Sequence, residues 1–301
     1  MVSADGRQPA ALWPVAALLF NALTWGVSWW PFRHLHAQGL HPLWLTALCF
    51  SISVALLLVF RPAALGMVLR RPTLWVLVLA AGTTNASFNW AVTVGDVVRV
   101  VLLFYLMPLW TVLLSRALLG ERISARGALR VLLALLGAAV VLWPTGDQPA
   151  SGILLAGLGL ADALAVVGGF SFALNNVMLR REAGQDPAAR ALAMFGGGAL
   201  VAGALALGLS HTGAVPPIPT MALPWLLGTL GMAFWFLASN LALQYGAARL
   251  PANTTAVVLV SEVLFASLSA AALGAGLLDG RVVLGGLLIV SSALLATLQR
   301  D

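Results

Sequence analysis

Lysine is absent from this 301-residue chain, cysteine occurs once, and charged side chains make up only 9% of it. So little charge excludes a single soluble domain, because 61% of the residues are hydrophobic and one core cannot hide that much apolar surface. The lone Cys49 excludes an intrachain disulfide and a cysteine-based metal cluster. No G-x-S-x-G, phosphate-loop or H-E-x-x-H motif occurs, so the sequence carries no signature of a common hydrolase, nucleotide or zinc-protease chemistry. His34, His36 and His41 lie near one another, but no nearby acid completes a metal set, and no metal or other cofactor is expected.

What the chain does have is long apolar runs. They fall at roughly 12–32, 43–60, 73–94, 97–118, 128–143, 155–179, 188–209, 224–246, 251–273 and 282–298, bounded by Arg, Pro or Gly. A helix rising ~1.5 Å per residue needs ~20 such residues to cross a ~30 Å hydrocarbon layer, so the reading is a ten-span membrane protein. The first run has no small-residue cleavage site after it and fits a retained span better than a signal peptide. With the N-terminus in the cytoplasm, thirteen of the sixteen arginines fall inside and only Arg33, Arg99 and Arg281 outside. The arginines therefore read as topology signals, with both termini cytoplasmic and no nucleic-acid partner.

Internal echoes divide the runs. Asn89, Ala91 and Gly95 share the spacing of Asn240, Ala242 and Gly246, in the third and eighth runs. Gly26-Val27-Ser28-Trp29 in the first echoes Gly169-Phe170-Ser171-Phe172 in the sixth. Five spans per half is an odd number, so the second half enters the membrane from the opposite side. The expected fold is an all-α integral membrane protein of ten transmembrane helices, in two inverted five-helix repeats (1–148 and 149–301) around a central cavity.

Polar groups at membrane depth must find partners or line water, which makes each a candidate site residue. Glu262 lies thirteen residues past Arg249, ~20 Å along a helix, beyond the reach of its side chain to bulk water. It either faces a cavity, where it would bind an ammonium group or exchange a proton, or is a neutral carboxyl bonded to a neighbouring helix. Asn85 and Asn89 are one turn apart, as are Asn240 and Gln244, and their amides suit either a substrate or an interhelical bond. Trp25 and Ser28 share a face of the first run, and Ser171 and Asn175 a face of the sixth. Trp25, Trp235 and Tyr105 are deeper than the tryptophans at span ends and are read as pocket walls for a bulky apolar group. Pro108, inside the fourth run, is read as a kink that serves gating.

The string PLWTVLLSRALLGERIS (108–124), the WGVSW of 25–29 and the short arginine-bounded loops resemble the EamA family of the drug/metabolite transporter superfamily. Within it, residues 85–114 resemble exporters of aromatic amino acids. The resemblance implies a secondary transporter, not an enzyme, that exports amino acids, aromatic or bulky apolar ones, across a bacterial inner membrane by alternating access. A multidrug or metabolite exporter, or a passive uniporter, is the alternative. The implied partners are a small-molecule substrate, the lipid bilayer and, if transport is proton-coupled, protons, with the chain working as a monomer. Two departures stand out: Glu262-Val263 replaces the family's frequent Glu-Pro, and Gly274-Ala275-Gly276 replaces its Gly-Glu. They imply that the kink and gate of the second half differ from those of the first.

Overall fold

The structure, a computed structural model, describes residues 12–94, 100, 103–122, 124–141, 159–220, 223–273 and 280–297. Twelve helices and no strand occur among them: α1 (Leu12–Ala37), α2 (Pro42–Phe60), α3 (Ala63–Arg70), α4 (Pro72–Val94), α5 (Met107–Leu119), α6 (Ala125–Val141), α7 (Leu160–Arg181), α8 (Pro187–His211), α9 (Leu223–Ala247), α10 (Ala252–Leu259), α11 (Glu262–Ala272) and α12 (Gly280–Thr297). Six helical segments are long and apolar enough to cross a membrane, the last of them Ala252–Ser269, and a seventh is added if α3 and α4 count as one bent pair. The apolar helices at Met107–Leu119, Gly127–Val140 and Val283–Ser292 are shorter. Each of the ten apolar runs thus carries helix, but three do so over fewer residues than a full crossing. The boundary at 148/149 lies outside the described residues, as do Asp96, Arg99 and the Gly274–Gly276 segment.

Three features were not expected. The eight-residue α3 is amphipathic, leaves Leu65, Met67 and Leu69 exposed, and meets α4 at 100°, so it runs across the bundle rather than along it. The fourth run is not one kinked helix: a turn at Tyr105–Leu106 interrupts it, and Pro108 lies at the start of α5, where its missing N–H costs nothing. The ninth run breaks as well, at Val260–Ser261, although Val263 stands where proline would have suggested it. At both breaks the bonds tighten to an i→i−3 pattern, Leu106 N–H to the Leu103 carbonyl and Ser261 N–H to that of Val258.

The halves do not pack as separate bodies; helices of one are paired mainly with helices of the other. α1 packs on α9 and α11, and α7 packs on α4 and α5. The α4–α8 pair has its counterpart in α9–α2, while α2–α8, α5–α10 and α6–α12 join runs 2 with 7, 4 with 9 and 5 with 10. Renaming runs 1–5 as 6–10 and the reverse leaves this set of pairs unchanged.

Lipid tails are as apolar as leucine, so such pairs are held by close packing and hydrogen bonds rather than by water exclusion. Gly82 and Gly197 meet back to back: a Cβ on Gly197 would strike the Val78 carbonyl, and one on Gly82 the Gly197 carbonyl. Gly137 lies equally close to Gly285, where a Cβ would come 2.7 Å from the carbonyl oxygen. Asn21 Nδ2 donates to Ser239 Oγ at 2.8 Å, Trp29 Nε1 to Ser269 Oγ at 2.9 Å, and Ser292 Oγ to the Arg130 carbonyl at 2.7 Å. Cys49 is fully buried, with its Sγ 3.6 Å from the Thr229 carbonyl.

Local chemistry fixes the helix ends. Asp186 accepts from the Ala188 and Ala189 N–H groups and is followed by Pro187, which starts α8. Gly120 ends α5 at φ 69°, a left-handed conformation that favours glycine. His41 caps α2, its Nδ1 accepting from the Leu43 N–H at 3.2 Å. Burial, with His36 adding repulsion, pushes the His41 pKa from 6.5 down to about 4, so the ring is neutral near pH 7, as an accepting Nδ1 requires. A histidine whose folded pKa lies below its unfolded value stabilises fully above about pH 6.5 and loses that contribution as the pH falls toward 4. The melting temperature is therefore expected to fall over that window, and to fall less in His41→Asn, which can cap α2 without titrating.

Candidate functional site

The two broken runs meet. The Tyr105 side chain, in the first break, is hydrogen-bonded to that of Glu262, the first residue after the second. Each break is also covered by a glycine of the opposite half. A Cβ on Gly26 of α1 would come 2.8 Å from the Glu262 carbonyl oxygen and 2.6 Å from Phe265 Cβ. A Cβ on Gly169 of α7 would come 2.5 Å from the Phe104 carbonyl oxygen. These are the two glycines of the Gly-x-Ser-aromatic echo, so equivalent positions in the sequence do equivalent packing. Irregular backbone at this depth is tolerated where protein or a cavity covers it.

Beside this junction lies a cavity of about 40 Å³, open on one side. It is lined from the first half by Trp25, Phe50, Ala81, Thr84, Asn85, Phe88 and Phe104, and from the second by Phe172, Asn175, Met194, Asn240, Leu243 and Glu262. Five of these thirteen residues are aromatic: Phe88 and Phe104 approach to 4.6 Å between ring centroids, Phe104 and Phe172 to 5.7 Å, and Trp25 is stacked on Phe236 at 4.7 Å.

Of the residues singled out in the sequence, Trp25, Asn85, Asn175, Asn240 and Glu262 line this cavity. Tyr105 is buried behind it against Glu262. Four others are placed elsewhere. Trp235 is corrected: it is 46% exposed on the outer face of α9 against Phe20, because its neighbour Phe236, one residue and ~100° around the helix, takes the inward position at 2%. Asn89 is one turn from Asn85 but donates to Thr46 Oγ1 at 2.6 Å, joining α4 to α2. Ser28 is buried and donates to the Trp25 carbonyl of its own helix at 2.8 Å. Ser171 is buried but is not part of the lining. Sequence reasoning missed the phenylalanines: Phe50, Phe88, Phe104 and Phe172 are indistinguishable by composition from lipid-facing ones.

A second polar cluster closes one end of the bundle. Gly120 turns the chain so that Glu121 Oε1 accepts from the Ala252 N–H at 3.4 Å, at the positive end of α10. Burial pushes the Glu121 carboxyl above the usual range, while that bond and the nearby Arg180 charge act the other way. Arg180 Nη1 donates to the Ala248 carbonyl at 3.0 Å, and Ser115 Oγ to Asn253 Oδ1 at 3.3 Å. The end of α5 is thereby tied to the start of α10. The three histidines form no metal-binding group among the described residues; His41 acts as a helix cap and packs edge-on against His36.

Residues 12–143 match the model of the EamA-like transporter family. That family consists of transporters rather than enzymes, and its match agrees with the apolar helices in making this a multi-pass membrane protein. No curated protein matches the chain. Among 27 matching solved chains, one described as the crystal structure of a protein is 22% identical, with a TM-score of 0.75 over 95% of this chain and 96% of its own. Identity at that level establishes a shared fold alone.

Trp25 and Trp235 differ in the site although both looked equally deep. Trp25→Ala, which removes a cavity wall, is expected to weaken whatever binding of labelled phenylalanine, used as a probe, the purified protein shows by about tenfold. Trp235→Ala, on the outer face, is expected to leave binding within about twofold of the wild type.

Proposed function

We propose that this protein is a secondary transporter of the EamA type that exports amino acids, aromatic or bulky apolar ones, across a bacterial inner membrane. The observation that carries this reading is the cavity itself: it lies between the two halves, is walled by rings and holds amides and one carboxyl where a bound molecule would be oriented. The resemblance of residues 85–114 to the aromatic amino-acid exporter YddG supports the substrate class.

The mechanism proposed is alternating access by two inverted five-helix repeats, with both termini in the cytoplasm. The exchange-invariant pairing of helices, the echoed glycines Gly26 and Gly169, and the two facing breaks support it. In this reading the Glu121–Ala252 and Ser115–Asn253 contacts close the cytoplasmic mouth, and release toward the outside follows when the halves rock about the Tyr105–Glu262 junction. Glu262 is also the group through which a proton would couple to transport. The runner-up, an exporter of drugs or other metabolites, draws on the same cavity, whose one carboxyl would suit a cation.

Counterflow separates a carrier from a pore. Uptake of labelled phenylalanine into proteoliposomes is expected to rise several-fold when they are preloaded with unlabelled phenylalanine; uptake indifferent to preloading would refute alternating access.

Pro108→Ala tests the gating role. It restores an N–H that the Phe104 carbonyl four residues earlier can accept, extending helix through the break. The expected result is an altered transport rate with equilibrium binding nearly unchanged; unchanged rate with lost binding would exclude gating.

A further inference from the structure

The polar side chains that line the cavity, Thr84, Asn85, Asn175, Asn240 and Glu262, all carry acceptor oxygens, and Glu262 is the acid among them. Asn85 Nδ2 donates to the Ala81 carbonyl at 2.8 Å and Asn240 Nδ2 to the Phe236 carbonyl at 2.9 Å, each back onto its own helix. Only an amide nitrogen can face a carbonyl oxygen at that distance, so each amide oxygen is turned away from that carbonyl and is available to a ligand, beside the second N–H. Asn175 directs its Nδ2 toward Asn176 Oδ1 at 3.5 Å, and its own Oδ1 is buried with no hydrogen-bond partner. Thr84 Oγ1 donates to the Ala80 carbonyl at 2.7 Å, and the Glu262 carboxyl is held by Tyr105. Among the described residues no arginine, lysine or histidine lines the cavity.

We propose that this cavity recognises the ammonium end of its ligand: the site takes an aromatic primary amine, with the ammonium on Glu262 and the asparagine oxygens and the ring between Trp25, Phe88 and Phe104. An ammonium brings three donors and a positive charge, matching a carboxyl, amide oxygens and the unpartnered Asn175 Oδ1. The ring walls add stacking and cation–π attraction. A ligand carboxylate, by contrast, meets acceptors and one acid, a repulsive arrangement that discriminates against anions. The inference rests on the transporter reading for the cavity being a substrate site, and sharpens it: an amino acid is held by its amino end and side chain, and its carboxylate adds no affinity.

The test uses the purified full chain and four ligands of one shape, phenethylamine, phenylalanine, hydrocinnamate and phenethyl alcohol, with affinities measured by titration calorimetry. Phenethylamine is expected to bind at least as tightly as phenylalanine and about tenfold or more tighter than hydrocinnamate or phenethyl alcohol. Glu262→Gln is expected to weaken phenethylamine about tenfold and to change phenethyl alcohol by less than about twofold. Hydrocinnamate binding as well as phenethylamine, phenylalanine binding more tightly than phenethylamine, or a Gln variant that weakens amine and alcohol alike would overturn the proposal. If the variant does not fold, the wild-type ranking decides alone. Absence of binding by all four ligands would overturn the transporter reading too, whereas the expected ranking without counterflow would overturn transport and leave this inference standing.

Discussion

Backbone that leaves the helix at membrane depth must be covered, because no water is there to bond its freed groups. Here two such interruptions, at Tyr105–Leu106 and Val260–Ser261, face one another, and the rest of the molecule is arranged to cover them. Gly26 and Gly169 bring α1 and α7 onto the carbonyls beside the breaks, and no other residue type would allow that approach. With two helices pulled in so closely, the remaining space between the halves is what becomes the cavity. The site is thus a by-product of how the broken helices are shielded.

The same constraint explains why hydrogen bonds concentrate between the halves. Asn21–Ser239, Trp29–Ser269 and Ser292–Arg130 all join the first half to the second. In a bilayer an interhelical bond of this kind contributes roughly 1 kcal/mol. A set of modest clamps, none dominant, therefore joins the two halves. Glu121, set by the Gly120 turn against the first N–H of α10, adds a clamp at the bundle end.

Much of this was legible in the sequence, for a physical reason: charge and polarity are costly in lipid, so where they occur they mean something. The ten runs followed from the arginines between them, and Asn85, Asn175, Asn240 and Glu262 were found because each is polar at depth. What polarity does not mark was lost. α3 is too short for a hydropathy window, and the second break has no proline to announce it. Azimuth was lost as well: a helix apolar all round gives no periodic signal, so Trp235 and Phe236 could not be told apart until their neighbours were known. Asn89 shows the complementary limit, since a polar residue at depth can serve a helix contact as readily as a ligand.

The buried thiol of Cys49 has a practical side. Packed in α2 against Thr229 and closed to solvent, it offers no foothold to a water-soluble alkylating reagent. The chain therefore behaves as though it were free of cysteine, and a thiol introduced at any cavity position would report its own reactivity against a silent background. The solvent exposure of that position could then be followed without first stripping the protein of its native sulfur chemistry.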